Sequence, residues 1–315
     1  MSTYLGTAAA MLTPPRGLSR MRDPRAVAAV MFAISGAGSA AAYGAQRAFK
    51  KAAKDSYPQY GDLSTKMRRD ADMEHVRFVT GARLPTKEGA VLRKLIESSE
   101  GKKKAILTKR YYKLQKAGKA DKPFLNAMYF KTSPIVPKTS RKMVKQGIRL
   151  LFPPGKGPKI TDQQLDKGII IGHSKFLKEH PEIIGHELGH GRENDRMGEA
   201  NRIIQEIGRP IGGGVAALGI TAPLLFSGSK RLRKVNPFYA GAGLAAIGAL
   251  PLLWSEAVAS KEGRKLLNKT KVTKKDRKKM DHLLNAAYMT YLAHGVIPPA
   301  MMAAAPSVIR RVVKK

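Results

Sequence analysis

The chain has 315 residues, enough for two ordinary domains or for one domain with membrane segments. It contains no cysteine, which excludes disulfides and thiolate metal sites and leaves the redox compartment open. Lysine and arginine number 58 against 23 aspartates and glutamates; the resulting net charge of +35 predicts attraction to anionic phospholipid headgroups or nucleic acid.

Charged and apolar residues are segregated into blocks along the chain. Residues 1–25 form an N-terminal segment with Pro14-Pro15 and the arginines Arg16, Arg20, Arg22 and Arg25. No short apolar region with a small-residue cleavage site follows an early positive charge there, so no secretory signal peptide is expected. Residues 26–46 carry no charge over 21 positions, long enough to cross about 30 Å of hydrocarbon as a helix. Gly36, Ala40 and Gly44 recur every four residues in this expected transmembrane helix, a stripe suited to close helix contact.

Residues 47–152 are a basic region to which the sequence assigns no fold. Short amphipathic helices are expected over Val91–Ile96 and Ala105–Leu114. Tyr111-Tyr112 beside Lys109, Arg110 and Lys113 is the kind of aromatic–cation mixture that stacks on nucleic acid. No known nucleic-acid module is visible, however, and next to a membrane anchor a charge run reads more naturally as a contact with anionic lipid headgroups. The Pro/Gly-rich stretch Phe152–Pro158 breaks the pattern and is expected to mark a domain boundary, with a second domain over 153–309.

Gly168-Ile169-Ile170-Ile171-Gly172 reads as a short strand, and Pro181 opens the helix that follows. That helix contains His186-Glu187-Leu188-Gly189-His190. Positions i and i+4 share a helix face, so His186 and His190 can grip one metal ion while Glu187 deprotonates a water beside it. Uncharged Ile183, Ile184, Leu188 and Gly191 suit a dry cleft. A strand leading into such a helix suits a zincin, in which a strand edge binds extended substrate.

Two further uncharged runs, 210–229 and 235–255, flank the basic loop Lys230–Lys234 and are expected to form a membrane hairpin, with the single Trp254 at an interface position. A fourth run, 283–309, is interrupted by Pro298-Pro299 and Pro306 and precedes a basic tail, 310–315. A catalytic zinc usually has three protein ligands. Glu193 lies seven residues from His186 on the same face, but one straight helix rarely supplies all three ligands. Asp195, Glu199 and Glu206 read as ordinary polar-helix residues. Glu256 is better placed, as the first charge after the third apolar run, and the small residues after it allow close packing on the metal helix. Tyr288, Tyr291 and His294 fall at i, i+3 and i+6, where packing is the expected role and donation to an oxyanion the alternative. His75, His173, His180 and His282 are expected at the surface.

His186–Gly191, Glu256-x-x-Ala259-Ser260 and Leu284–Ala293 together resemble three successive motifs of the YugP-type neutral zinc membrane metallopeptidases, across residues 168 to about 295. The resemblance implies zinc held by His186, His190 and Glu256, with Glu187 as general base and acid. This sequence departs from the family at Val258, where an aspartate is usual, and at Gly191, where an alanine is usual; both changes remove support around the ion. The expected fold is mainly α: a multi-helix, membrane-associated, zincin-like domain with a short β element before the zinc helix. The expected function is that of a multi-pass membrane zinc endopeptidase with a peptide or protein substrate. The alternative is a catalytically degenerate, basic membrane scaffold for anionic lipid or nucleic acid.

Overall fold

A computed structural model describes residues 24–60, 62–124, 126–132, 137–196, 211–223, 225 and 236–313. The described chain is mainly helical: α1 (Pro24–Ala52), α2 (Leu63–Asp70), α3 (Lys87–Glu97), α4 (Gly101–Lys116), α5 (Lys138–Leu150), α6 (Asp162–Lys167), α7 (Ser174–Glu179), α8 (Pro181–Arg196), α9 (Ile211–Pro223), α10 (Pro237–Asn268), α11 (Lys274–Gly295) and α12 (Ile297–Val313). Five short strands accompany them: β1 (Arg77–Thr80), β2 (Arg83–Pro85), β3 (Asp121–Pro123), β4 (Ala127–Phe130) and β5 (Ile169–Gly172). The chain divides into a sheet unit, 55–202 with 258–281, and an apolar unit, 1–54 with 203–257 and 282–315.

In the sheet unit, β5 is the expected strand. Three consecutive β-branched residues make it fit for burial on both faces, and it forms the centre of a sheet ordered β1-β5-β4. β1 runs parallel to it, Arg77 opposite Ile169, and β4 antiparallel, Ala127 opposite Gly172. Ile169, Ile170 and Ile171 are wholly buried, each contributing about 1.5–3 kcal/mol. Ile169 and Ile171 join Val79, Phe124, Ile148, Phe152 and Leu165 in one core. Gly168 turns the chain from α6 into β5 at φ 95°, a conformation that favours glycine.

The basic region therefore has a fold. Its two expected helices are α3 and α4, which pack through Leu92, Ile96 and Tyr111. The second sheet, β2 with β3, is tied to α4 by the buried Asp121, which accepts hydrogen bonds from Tyr111 Oη at 2.9 Å and Gln115 Nε2 at 2.9 Å and pairs with Arg83. The boundary expected at 152–158 falls inside this unit. Phe152 and Ile160, either side of the Pro/Gly stretch, lie in the same core as β5.

In the apolar unit, α1 packs its Met31 and Ile34 against Phe238 and Ala242 of α10 and Met302 and Ala305 of α12. The described parts of the expected hairpin cross tightly and antiparallel. A Cβ on Gly219 would meet Gly241 O at 2.6 Å, and one on Gly248 would meet Gly212 O at 2.4 Å. Large apolar side chains point outward: Phe32, Ile211, Leu218, Ile247 and Leu250 are all exposed. Among the described residues, Ala28–Ala52 and Pro237–Asn268 are long and apolar enough to cross a membrane, whereas Ile211–Pro223 is shorter. The fourth apolar run is shared between two helices. α11 ends at Gly295, and Pro298-Pro299 occupy the first turn of α12, where the missing N–H groups cost nothing. The Lys230–Lys234 loop lies outside the described residues.

Candidate metal centre

Pro181 starts α8 with its φ preset, and almost every residue from there to Gly191 is buried. The helix can sink this deep because its glycines admit other chain segments. Gly185 faces Gly263 of α10 and the Met67 side chain, and a Cβ on Gly189 would meet Ala259 O at 2.4 Å. The pairings of 185 with 263 and 189 with 259 run α8 and this part of α10 antiparallel. The small residues after Glu256 thus do allow close packing on α8. At Gly191 a Cβ would lie 1.9 Å from Met73 Cε, so an alanine there would have to displace the end of that methionine side chain.

His186 and His190 are buried, with ring centroids 4.8 Å apart and planes at 82°. With Glu256, also buried, they form a group whose ligand atoms all lie within 4.8 Å of one another and could hold a metal ion. Ser260 Oγ is 3.1 Å from His186 Nδ1. When Nδ1–H donates to Ser260 Oγ, the Nε2 lone pair is left for an ion and the ring is held in place. Ser260 therefore gives His186 a polar partner on α10, one turn beyond Glu256, although Val258 carries no acidic group.

Glu187 Oε2 accepts the backbone N–H of Tyr129 at 2.7 Å. Tyr129 is in β4, and β4 rather than β5 is an edge of the sheet, so the strand leading into α8 is not the edge. The backbone N–H of Tyr129 faces away from β5, toward Glu187, as alternate residues of an edge strand must. Sequence reasoning missed this contact. A backbone donor in a four-residue strand leaves no side-chain signature.

Glu193 is buried but stands outside the three-residue group. Asp195 is an exposed partner of Lys131. Glu199 and Glu206 lie outside the described residues. Tyr288 and Tyr291 are half-buried on α11, and His294 is exposed with Nδ1 2.6 Å from Thr290 O.

His75 and His282 are exposed as expected, and His173 is half-buried. Burial, then the charges of Arg83 and Lys175, lower the pKa of His173. His180 corrects the expectation of a surface position: it is buried, stacked on Phe176 at 4.3 Å, with Nδ1 2.9 Å from Glu182 Oε1. Burial raises the Glu182 carboxyl above the ordinary range, and the His180 hydrogen bond opposes that shift.

Two imidazoles and a carboxylate, with no thiolate, are a donor set that zinc accepts, and three protein ligands leave a coordination position for water. No protein-family model matches the chain, and no curated protein or solved structure matches it.

Proposed function

We propose that the chain is a membrane-associated zinc-dependent endopeptidase with a zincin-like catalytic arrangement. The observation that carries this reading is the buried group of His186, His190 and Glu256, with Glu187 adjacent to the first histidine on α8. When bound, zinc supplies a Lewis acid that polarises the scissile carbonyl and lowers the pKa of a water. His186 and His190 would hold the ion from one helix and Glu256 from the other, while Ser260 positions the His186 ring. Glu187 takes the proton from the attacking water and passes it to the leaving amine. Its carboxylate is aligned by the Tyr129 N–H.

The membrane part of the reading is supported by the lengths of α1 and α10 and by outward Phe32, Ile247 and Leu250. Trp254, also exposed, sits two residues before Glu256, or about 3 Å along the helix. An interfacial tryptophan there sets the metal group close to the headgroup level, so substrates cleaved near the bilayer surface are favoured. The test is Glu187→Gln in the full chain. Retained zinc with loss of peptide cleavage supports the mechanism, and undiminished cleavage removes it.

A second reading, a basic scaffold for anionic lipid or nucleic acid with a vestigial metal group, is favoured by the +35 charge. Stoichiometric metal together with cleavage excludes it.

A further inference from the structure

A cavity of about 700 Å3 opens in the sheet unit between α3, α4, α5 and the 152–159 loop. Arg93, Lys104, Arg149 and Lys159 line it, against the single carboxylate of Glu97. Among the described residues, Lys104, Arg149 and Lys159 have no carboxylate within ion-pair distance. The inner wall is also positive. Arg93 is 5% exposed, donates to Tyr111 Oη at 2.9 Å and to Leu150 O, and lies 3.9 Å from Asp121. Arg83 engages that same carboxylate, so one buried anion stands between two guanidiniums. The surplus positive charge in a partly desolvated wall is stabilised by an anion placed beside it.

The rim is preorganised for such a guest. Pro153, Pro154 and Pro158 stiffen the loop, and Gly155 turns it at φ 74°. Tyr112 Oη donates to Pro154 O at 2.5 Å, and Lys156 covers the Tyr112 ring at 4.9 Å. That tyrosine ring is thus covered by Lys156, and Phe152, the aromatic residue in the lining, is 5% exposed and packed into the core rather than open for stacking bases. A cationic bowl of this size, with Arg93 held in its wall and Lys104, Arg149 and Lys159 exposed around it, suits phosphate oxygens better than nucleobases.

We propose that this cavity binds a multiply phosphorylated anion, either a soluble oligophosphate or the headgroup of a polyphosphorylated lipid. The site shares no residue with the metal group and does not depend on the peptidase reading. The test uses the full chain in neutral detergent, titrated calorimetrically with sodium tripolyphosphate and, separately, with a short-chain phosphatidylinositol bisphosphate. Saturable binding is expected for at least one probe. Arg149→Glu with Lys159→Glu should weaken it about tenfold or more, with the melting temperature unchanged. Lys274→Glu with Lys278→Glu, an equal charge change on exposed α11 positions, should leave it within about twofold. Preference for tripolyphosphate assigns a soluble ligand, and preference for the lipid assigns a headgroup. The proposal is overturned if neither probe binds, if both double variants weaken binding equally, or if an oligonucleotide alone binds and alone is lost in the cavity variant.

Discussion

Two helix crossings on α10 are built from the same kind of residue and do different things. Where α9 meets α10, Gly212, Gly219, Gly241 and Gly248 bring backbones together, and the neighbouring side chains are apolar, with Ile211, Leu218, Ile247 and Leu250 turned outward. Where α8 meets α10, Gly185, Gly189, Ala259 and Gly263 achieve an equally close approach. Beside those small residues, however, stand His186, His190, Glu256 and Ser260. Small residues set the distance between helices, and the residue one position along decides whether the contact is packing or chemistry. The second crossing buries polar groups that could together hold a metal ion.

The sharpest separation of the two crossings is catalytic. Glu187→Gln should reduce peptide cleavage on the order of 10²–10⁴-fold while leaving zinc content unchanged, read by a turnover assay beside elemental analysis. Next comes the crossing distance itself. Gly189→Ala and Gly219→Ala create comparable clashes, at 2.4 Å from Ala259 O and 2.4 Å from Ala245 N respectively. Each should lose about 1–3 kcal/mol of stability by overpacking, but only Gly189→Ala should also lose bound zinc. Equal zinc loss in both variants would erase the distinction between the crossings.

Ser260→Ala should weaken zinc affinity about tenfold in a competition titration with a chelator, the low end for a neutral partner of a ligand histidine. The smallest effect concerns pH. Burial pushes the Glu262 carboxyl up, and the Lys265 hydrogen bond and the charges of Lys265, Arg196 and Arg192 bring it below its ordinary value. Arg192 and Arg196 come from α8, so this carboxylate ties the C-terminal end of α8 to α10. A depressed folded pKa gives stability that is present above the unfolded value, near 4.3, and lost as pH falls through the folded one. Melting temperature should therefore drop on acidification below about pH 4, and Glu262→Gln should flatten that limb.

The helix α8 with its candidate metal ligands is legible in the sequence because its information is local. His186, Glu187 and His190 have a spacing that only a helix turns into one face, and Ile169–Ile171 read as a strand from β-branching alone. Glu256 was reachable because it follows a long uncharged run and precedes small residues. The sheet around β5 was not legible: β1, β2, β3 and β4 are three or four residues long, too short for a period, and β3 is Asp-Lys-Pro. The burial of β5 on both faces, which makes it central rather than an edge, follows from those unseen partners. His180 was misplaced for a similar reason, since its partner Glu182 looks like an ordinary helix-start acid until both are buried. Met73, which fills the space beside Gly191, lies more than a hundred residues away in a stretch that looks only basic.

Everything turns on whether two imidazoles and one distant carboxylate close around a single ion. Elemental analysis of the purified full chain, alongside Glu256→Ala checked for folding by its melting transition, addresses this directly. About one zinc per wild-type chain is expected, with loss of most of it in the folded variant. A wild-type chain without stoichiometric metal, or a variant that keeps its zinc undiminished, would contradict that expectation.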